Sequence, residues 1–510
     1  MLLSNSQQIR EADQTMIGDL GFPGLILMET AGRRAAEEIL KRFPDHDRVV
    51  ILCGPGNNGG DGFVIARYLK LAGTQVELCL SHLPNRSKGD AGEALKALSG
   101  SGISMRPWTG AESLAADVLL IDALLGTGIQ DEVRGKIKEM IAAHVDHPGP
   151  VIAIDLPSGL NADTGHALNQ VIPADLTLTF QLPKICHYVT PAADSCGEVV
   201  VLDIGIWPEV IGGLGIQREV ITGEWVRAQL GERLRSGHKG TFGHAALVGG
   251  SRQYAGAIAL SGHAALHVGA GLSTVIGPKA VRTACSAMGP EVICRTVKGD
   301  EMSGEMWEQA NVMGKLGAIG VGPGLGHTAV TEGFLKAFLE QVDQALVIDA
   351  DALNILATLP EWWKRVPKGS VLTPHPGEMR RLCGREDVND FRLECAEELA
   401  EKSGCTVLLK GAGTIVAFGE GRSMVNPTGN EGMATGGSGD VLTGAIVGFM
   451  AQGHSPEIAA STAAFVHGLA GDRAKSIYGS HGVTAGRILE QLGPAILQII
   501  QEKEPKHQSI

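Results

Sequence analysis

The sequence predicts an α/β protein made of two domains, each built on a mostly parallel sheet. The chain has 510 residues, enough for about two to four domains of ordinary size. Seventy glycines and a charged fraction of 19% are typical of a compact α/β chain. Short apolar runs alternate with helical patterns in both halves, as expected where parallel strands are buried on both faces.

Composition excludes several classes of protein. The net charge of −13 argues against a general role in binding nucleic acid or a membrane surface. No uninterrupted apolar stretch reaches ~18 residues, so no membrane span is predicted. The N-terminus turns polar after three residues and lacks the apolar run of a signal peptide. Nine scattered cysteines without a CxxC pair favour reduced thiols in a cytoplasmic protein.

The first predicted domain covers residues 1–215. Helical patterns at residues 6–16 and 25–43 precede a strand at 49–53, a glycine loop at 54–60 and a helix at 61–71. That order is the βα turn of a dinucleotide-type fold, although its spacing is not GxGxxG. Further strands are predicted at residues 75–80, 118–123, 151–155, 176–180 and 198–202. We therefore predict a Rossmann-like three-layer αβα domain.

Polar side chains follow three of these strands. Asn58 lies in the first turn, Asp122 ends the third strand, and Asp155 and Ser158 follow the fourth. Ligands bind outside the carboxyl ends of open parallel sheets, so these turns should converge. Asn58, Asp122 and Ser158 offer only oxygen ligands and one carboxylate, which suits a hard cation. Each residue taken singly is also a common turn former.

From about Gly212 to Ser236, glycines followed by a charged stretch connect the halves. Residues 216–236 are predicted as the linker to a second domain at residues 237–502. A strand starts at His244, and a helix is predicted at residues 256–268. Further strands are predicted at residues 272–276, 318–321, 346–348, 371–373 and 407–409.

The second domain is organised around a glycine-rich loop, residues 426–440, that enters an apolar helix ending near Gly453. Glycines let the backbone approach a ligand closely, and the free N–H groups of a helix start favour an anion. Asp440 is unusual there because a carboxylate repels phosphate, which suits a base beside a phosphate being transferred. The alternative is that Asp440 is only a helix N-cap.

Other strand ends of this half carry complementary groups. Asp349 and Asp351 follow one strand, His375 and Glu378 the next, and a Lys-Gly loop starting at Lys410 follows another. Together they can supply ligand contacts, magnesium-water contacts and phosphate contacts. Phosphoryl transfer needs these parts for positioning and charge stabilisation.

Motifs in both halves resemble known families. GGSGDVLTG and TPHPGE look like the anion-hole and metal-water motifs of the ribokinase superfamily, with His375 where related vitamin kinases carry asparagine. With GVGPGLG, DADALN and LLKGAGT they resemble the ADP/ATP-dependent NAD(P)H-hydrate dehydratases. GPGNNGGDG, DALLGTG and DLPSG resemble the NAD(P)H-hydrate epimerases. The resemblance implies a ribokinase-like αβα fold for the second domain.

The same resemblance implies repair of nicotinamide nucleotides. The first half would interconvert the R and S hydrates of NADH and NADPH (NADHX and NADPHX), with Asp155 as the candidate proton carrier. The second half would dehydrate the S form at the expense of ADP or ATP, with Asp440 as base. Magnesium, potassium and a homo-oligomeric state are expected, with no nucleic-acid or membrane partner.

The resemblance also implies site residues. Those that would bind the hydrate in the first half are Asn57, Asn58, Gly59, Gly60, Asp61, Gly126, Thr127, Gly128, Ile129, Gln130, Asp131, Glu132 and Asp155. Those that would bind it in the second half are Gly256, Gly324, His375 and Asp440. Those that would hold the nucleotide are Lys410, Gly411, Ala412, Gly413, Thr414 and Gly439, and those that would hold potassium are Asn58, Asp122 and Ser158.

Two other functions stay open at this point. One is a ribokinase-type small-molecule kinase with an accessory domain, which would leave a stable phosphorylated product. The other is a nucleotide-sensing scaffold without turnover. Asp155 and Asp440, each at a strand or helix end suited to proton transfer, favour an enzyme over the scaffold.

Overall fold

The computed structural model describes residues 1–110, 114–233, 235–305, 307 and 317–502. The chain divides into two compact units, Leu2–Gln217 and Arg218–Ile510, with Met1 grouped with the second. Both units alternate strands and helices, so the predicted α/β class is confirmed. The division falls close to the predicted boundary at residue 215.

The first unit has a fully parallel sheet. Its strands are β1 Arg48–Cys53, β2 Gln75–Leu80, β3 Ser104–Pro107, β4 Leu119–Ala123, β5 Val151–Ile154, β6 Leu176–Phe180 and β7 Glu198–Leu202. Among the described residues their order is β3-β2-β1-β4-β5-β6-β7, with parallel pairing throughout. The Rossmann-like prediction is confirmed, and the chain reverses direction across the sheet between β1 and β4, where ligands bind in such folds. The edge strand β3 was not predicted because it is short and largely exposed.

The helices of this unit cover both faces of the sheet. They are α1 Ser6–Gln14, α2 Gly24–Arg42, α3 Asn57–Leu71, α4 Gly89–Lys96, α5 Gly135–His144 and α6 Pro208–Gly213. Helix α3 begins at Asn57, not at residue 61 as predicted, so four predicted loop residues lie in its first turn. A Cβ on Gly59 would lie 2.0 Å from the Gly54 carbonyl oxygen. The glycines at the start of α3 are therefore explained by close packing against the end of β1. Intrinsic helix propensity takes no account of such packing.

The second unit has a larger mixed sheet. Its strands are β8 Arg218–Val220, β9 His244–Val248, β10 Leu272–Pro278, β11 Ile293–Val297, β12 Ala318–Val321, β13 Leu346–Ile348, β14 Val371–Leu372, β15 Thr406–Leu409, β16 Thr414–Ala417 and β17 Ser423–Asn426. The order within the described parts of the chain is β11-β10-β9-β12-β13-β14-β15-β16-β17-β8. Strands β9 to β15 are parallel, and β16 pairs antiparallel with both neighbours.

The predicted linker at residues 216–236 is corrected by the structure. Strand β8 pairs with β17 at the edge of the second sheet, and Ile221 N donates to the Val425 carbonyl at 2.9 Å. A helix, α7 Gly223–Leu230, follows and buries Val226 in the core of this unit. Pairing with the distant strand β17 stabilises β8, although the local sequence of this segment looks like a connection. Residue 234 of the predicted linker lies outside the described residues.

The remaining helices flank the second sheet. They are α8 Ala255–His267, α9 Lys279–Met288, α10 Ala329–Gln341, α11 Asp351–Thr358, α12 Pro376–Cys383, α13 Arg392–Ser403, α14 Ser438–Ala451, α15 Pro456–Tyr478 and α16 Ala485–Gln501. Helix α14 was predicted to bury one face, but every residue from Val441 to Ala451 is buried. It is therefore a central helix, apolar all round, which fixes the glycine-rich loop at its start.

None of the helices within the described ranges combines the length and apolar character that crossing a membrane requires. All nine cysteines are free thiols, and most are buried.

Candidate active sites

At the carboxyl end of β4, Asp122 and Ser158 form a buried pair. Ser158 Oγ donates to Asp122 Oδ1 at 2.7 Å, and Ser158 N donates to Oδ2 at 2.8 Å. Burial raises the pKa of Asp122 to about 6, although the hydrogen bonds from Ser158 and Leu124 oppose that rise. Two of the three predicted potassium ligands are therefore in contact.

The third predicted ligand, Asn58, has an unsatisfied side chain. Both its amide nitrogen and its amide oxygen are buried without a hydrogen-bond partner among the described residues. A buried polar group without a partner costs free energy, so a ligand or ion is expected to contact it. Asn58 lies beside Gly126, since a Cβ there would be 3.5 Å from Asn58 Cγ and 2.8 Å from Asp155 Oδ2.

Asp155 lies after β5 in a left-handed conformation, with φ 67°. Lys184 Nζ, which is buried, donates to Asp155 Oδ1 at 2.6 Å, and Thr127 N donates to Oδ2 at 3.1 Å. Burial alone would raise the pKa of Asp155, but Lys184 and the hydrogen bonds outweigh it and hold the pKa below its usual value. This carboxylate is therefore ionised at neutral pH.

His187 fixes the backbone of Asp155. Its Nε2 lies 2.9 Å from the Asp155 carbonyl oxygen, and its Nδ1 accepts from Lys184 N at 3.0 Å. Burial lowers the pKa of His187 to about 3. The ring is therefore neutral, with its proton on Nε2, and its contacts hold Asp155 and Lys184 in position.

Two further carboxylates surround the Asp155–Lys184 pair. Burial raises the pKa of Asp61 well above its usual value, and the charges of Asp155 and Asp13 add to the rise. Burial also raises the pKa of Asp13 to about 6. One lysine thus lies near three acids, and among them only Asp155 has its pKa held below the usual value.

The predicted 126–132 segment is only partly gathered into this cluster. Thr127 contacts Asp155, whereas Glu132 is exposed and accepts from Asn169 Nδ2 at 3.0 Å and Lys138 Nζ at 3.2 Å. Ile129 packs against a cluster of buried apolar residues that includes Leu120 of β4 and Met140 of α5.

In the second unit, Asp440 lies in the first turn of α14, directly after the glycine-rich loop. Gly437 is the N-cap residue, with φ 92° and no side-chain cap. A Cβ at Gly437 would lie 2.8 Å from Leu260 Cδ1 and 2.9 Å from Ala485 Cβ, so glycine is required. Asp440 is the third residue of the helix, and its carboxylate has no hydrogen-bond partner within the described residues. The N-cap alternative for Asp440 is therefore wrong.

Lys410, after β15, is a cation whose charge acts on that carboxylate. Its Nζ donates to Asp349 Oδ1 at 2.7 Å, and Thr443 Oγ1 donates to Asp349 Oδ2 at 2.7 Å. A Cβ on Gly439 would lie 3.3 Å from Lys410 Nζ. The ammonium group is thus held at the glycine-rich entry to α14, where backbone N–H groups also favour an anion.

Two carboxyl groups of this site titrate near neutrality. Burial raises the pKa of Asp440 to about 7, with Asp349 adding to the rise and Lys410 opposing it. Burial also raises the pKa of Glu378 to about 7, again opposed by Lys410. A group with a pKa near the working pH is suited to general acid–base catalysis.

His375 caps helix α12. Its Nδ1 accepts from Gly377 N at 3.0 Å, and its own N–H donates to Glu378 Oε2 at 2.8 Å. Burial lowers the pKa of His375, and Lys410 and Arg381 lower it further. The ring is neutral, and because Nδ1 accepts, Nε2 carries the proton. Nε2 lies 3.4 Å from Glu378 Oε1.

The other predicted residues of this unit lie in neighbouring turns. Gly256 is in the first turn of α8, one turn before Leu260, which contacts Gly437. Gly324 has φ 64°, and a Cβ there would lie 2.3 Å from the Tyr254 carbonyl oxygen. The Lys410–Thr414 segment is a tight turn in which Thr414 Oγ1 donates to the Gly411 carbonyl at 2.8 Å.

Several functional groups were missed by sequence reasoning. Lys184, Asp13 and His187 complete the first site, and Arg392 lies against Gly411 in the second. A lysine flanked by apolar residues just after β6, in QLPKICH, was an available signal for Lys184. Asp13 and Arg392 carried none, because only the fold brings their helices to the sites.

Comparison with known proteins gives consistent matches in both halves. A family model described as NAD(P)H-hydrate dehydratase matches residues 245–493, and one described as YjeF-related protein N-terminus matches residues 24–186. The bifunctional NAD(P)H-hydrate repair enzyme of Moorella thermoacetica is 37% identical, over 99% of this chain and 98% of its own length. The enzyme of the same name from Coxiella burnetii is 34% identical, over 96% and 98%. A solved ADP/ATP-dependent NAD(P)H-hydrate dehydratase from Bacillus subtilis, co-crystallised with ATP/Mg2+, is 31% identical, covering 55% of this chain and 98% of its own, with a TM-score of 0.49.

Proposed function

The chain belongs to the family of bifunctional NAD(P)H-hydrate repair enzymes, and on that premise we propose that it returns hydrated NADH and NADPH to the working cofactors. The first unit interconverts the R and S hydrates. The second unit removes water from the S hydrate with consumption of ADP or ATP. The observation that carries the proposal is the half-buried Asp440 beside Lys410 at a glycine-lined helix start.

In the second unit, Asp440 acts as the base. It takes the proton from the ring hydroxyl, whose oxygen attacks the terminal phosphorus of the nucleotide, and the shortened nucleotide leaves. The Lys410 ammonium and the backbone N–H groups of Gly437 and Gly439 stabilise the transferring phosphate. The ring nitrogen lone pair then expels inorganic phosphate, and loss of a proton from the neighbouring carbon restores the double bond of NAD(P)H.

His375 and Glu378 border the same space. We assign the Nε2–H of His375 to the hydrate, since Nδ1 is occupied by the helix cap; Glu378 Oε1 lies 3.4 Å from Nε2. Both oxygens of Asp349 already accept hydrogen bonds, so magnesium fits best as an ion carried by the nucleotide phosphates, with Glu378 and bound water near it. Magnesium there would neutralise phosphate charge.

In the first unit, Asp155 is the proton-transfer group. Lys184 keeps it ionised and, with His187, fixes its orientation. Inverting the hydroxyl-bearing ring carbon needs a group that takes and returns a proton, and Asp155 is the carboxylate of this site whose pKa is depressed and whose position is fixed by a buried lysine. Asn57–Asp61 and Gly126–Thr127 then hold the hydrate around it.

The predicted potassium ligands fit such an ion. Asn58 has an unsatisfied buried amide oxygen, and the Ser158 hydroxyl, whose proton goes to Asp122, keeps its oxygen for an ion. Both oxygens of Asp122 already accept hydrogen bonds, so Asp122 would act mainly through its negative charge. Potassium there would offset the Asp122 charge and stabilise the turns that hold the hydrate.

The direct test is incubation of the full chain with mixed hydrate epimers, followed by ultraviolet absorbance and chromatography, with ADP and ATP in turn. We expect both epimers to be converted to NAD(P)H, with release of inorganic phosphate and the shortened nucleotide. A stable phosphorylated product would instead favour the kinase. No consumption of hydrate with either nucleotide would overturn the proposal in favour of a scaffold.

A further inference from the structure

Arg392, the first residue of α13, carries a buried charge without a matching acid. The residue is only 7% exposed, and its Nε has no hydrogen-bond partner in the part of the chain that the structure describes. The one hydrogen bond of its guanidinium within the described residues is long, from Nη2 to the Gly413 carbonyl oxygen at 3.5 Å. Burial lowers the pKa of Arg392, and no carboxylate opposes that effect.

Other arginines around α13 are compensated. Arg385 donates to Asp387 at 2.9 Å and to Glu398 at 2.8 Å, and Arg218 makes two 2.9 Å contacts with Glu397. An arginine is seldom buried unless it is paired, because removing an unpaired charge from water costs several kcal/mol. The start of a helix makes this cost larger, since its dipole disfavours a cation there.

The guanidinium lies against the turn proposed to hold the nucleotide. A Cβ on Gly411 would lie 2.7 Å from Arg392 Nη1 and 2.9 Å from Nη2, so only a glycine leaves room for it. Gly411 has φ 140° and Gly413 has φ 60°, which glycine adopts without strain. Lys410, the preceding residue, has its Nζ beside Gly439. Arg392 therefore contacts a turn whose first residue, Lys410, reaches the glycine-rich start of α14, where the phosphate is proposed to bind.

We propose that Arg392 is a positioning residue of the nucleotide site, whose guanidinium holds the Gly411–Gly413 turn and supplies a fixed countercharge to the nucleotide phosphates across that backbone. This inference rests on the proposed use of an adenine nucleotide. It assigns to Arg392 a preference for phosphate-rich nucleotides, which a purely structural contact with the turn would not produce.

The test compares wild type with Arg392→Met and Arg392→Lys, using calorimetric titration of adenosine, AMP, ADP and ATP into the full chain. Methionine keeps an apolar stem but removes the charge, while lysine keeps the charge without the planar fork. We expect Arg392→Met to weaken ATP binding roughly tenfold or more, ADP binding less, and adenosine binding hardly at all. Arg392→Lys should recover part of the loss.

Arg385→Met is the matched control, because Arg385 is an arginine whose charge is already paired; it should leave every affinity unchanged. In turnover, Arg392→Met should raise KM for the nucleotide and leave kcat and KM for the hydrate near wild type. An equal loss for adenosine and ATP, or no loss for ATP, would overturn the inference while leaving the proposed function intact. Failure of the wild type to bind any adenine nucleotide would overturn both.

Discussion

At the residue scale, the two proposed catalytic carboxylates lie in opposite environments. Asp155 accepts a hydrogen bond from buried Lys184, and its pKa is held below the usual range. Asp440 has no such donor, and burial raises its pKa to about 7. The first is a permanent anion at neutral pH, and the second can exchange a proton there. Environment thus sets different properties for two identical side chains.

Replacing Asp440 by asparagine should abolish dehydration without unfolding the chain. The amide cannot accept the hydroxyl proton, so the rate should fall by ~10²–10⁴. Interconversion of the R and S hydrates should stay at the wild-type rate, which is the internal control. Near-normal dehydration by a folded Asp440→Asn protein, measured as NAD(P)H absorbance, would contradict the role of Asp440.

The pKa of Asp440 predicts the pH dependence of dehydration. A general base works only when deprotonated, and its folded pKa is about 7. The value of kcat/KM for the S hydrate should rise about tenfold per pH unit below neutrality and level off above it. A flat profile between about pH 6 and pH 8 would argue against this base.

Removing the partner of Asp155 should destabilise the first unit. Lys184→Met leaves a buried carboxylate beside Asp61 and Asp13, and breaking such a pair costs ~3–5 kcal/mol. The folded pKa of Asp155 is depressed, so the ion pair stabilises the fold above the usual aspartate pKa and is lost as pH falls through the depressed value. The deficit in unfolding free energy should be large at neutral pH and smaller in acid.

Denaturant unfolding of the wild type and of Lys184→Met, at neutral pH and in acid, measures this deficit in unfolding free energy. Lys138→Met is the matched control, because Lys138 pairs with Glu132 at 3.2 Å on the surface, where such pairs contribute little. A Lys184→Met protein as stable as the Lys138→Met control at neutral pH would show that the buried pair does not stabilise the unit.

At the element scale, the second site depends on how closely α14 packs on α8. A Cβ on Gly444 would lie 2.1 Å from the Ser261 carbonyl oxygen, and Ser261 Oγ donates to the Asp440 carbonyl at 2.8 Å. Small residues therefore let the two helices touch through their backbones. The contact fixes the start of α14 and with it Asp440.

Gly444→Ala should push these helices apart. Alanine normally favours a helix over glycine, but the backbone clash should outweigh that gain and cost ~1–3 kcal/mol. Dehydration should fall while epimerisation stays unchanged. Gly333→Ala, in the exposed part of α10 where a Cβ meets nothing within 4 Å, should instead stabilise by ~0.5–1 kcal/mol. Calorimetric melting of the Gly444→Ala and Gly333→Ala proteins distinguishes the two effects, and equal shifts in Tm would refute the packing argument.

At the scale of the whole molecule, each unit has its own sheet and its own site. The first site lies at the carboxyl ends of β1, β4, β5 and β6, in a sheet with seven strands among the described residues, and the second lies at the carboxyl ends of β13 to β15. Their proposed reactions are consecutive, because the S hydrate formed by the first unit is the substrate of the second. Conversion of the R hydrate to NAD(P)H therefore needs both sites.

A mixture of two inactive variants should restore that conversion. Asp155→Asn alone should fail to use the R hydrate, and Asp440→Asn alone should stop at the S hydrate. We expect the S hydrate to leave the first site into solvent, so the two proteins together should convert the R hydrate in the presence of nucleotide, followed as NAD(P)H absorbance. The S hydrate added to Asp155→Asn is the control; no recovery in the mixture would indicate that the hydrate passes within one molecule.

The sequence alone determined the fold class, most of the strands and the polar strand ends. Parallel strands buried on both faces leave short apolar runs, and the turns that follow β1, β4, β5, β13, β14 and β15 carry most of the candidate residues. These signals are local, so they are readable without a structure. Asp440, Lys410, Asp122 and Ser158 were named for this reason, and their roles stay predictions.

The tertiary structure decided which of these residues meet and what their charges do. Lys184 beside Asp155, Asp349 beside Lys410 and Arg392 behind Gly411 are contacts between residues far apart in sequence. The same holds for β8, which gains its hydrogen bonds from β17 and turns a predicted linker into an edge strand. Burial and pairing set the pKa values, and both are properties of the packed molecule, so no local pattern could have given them.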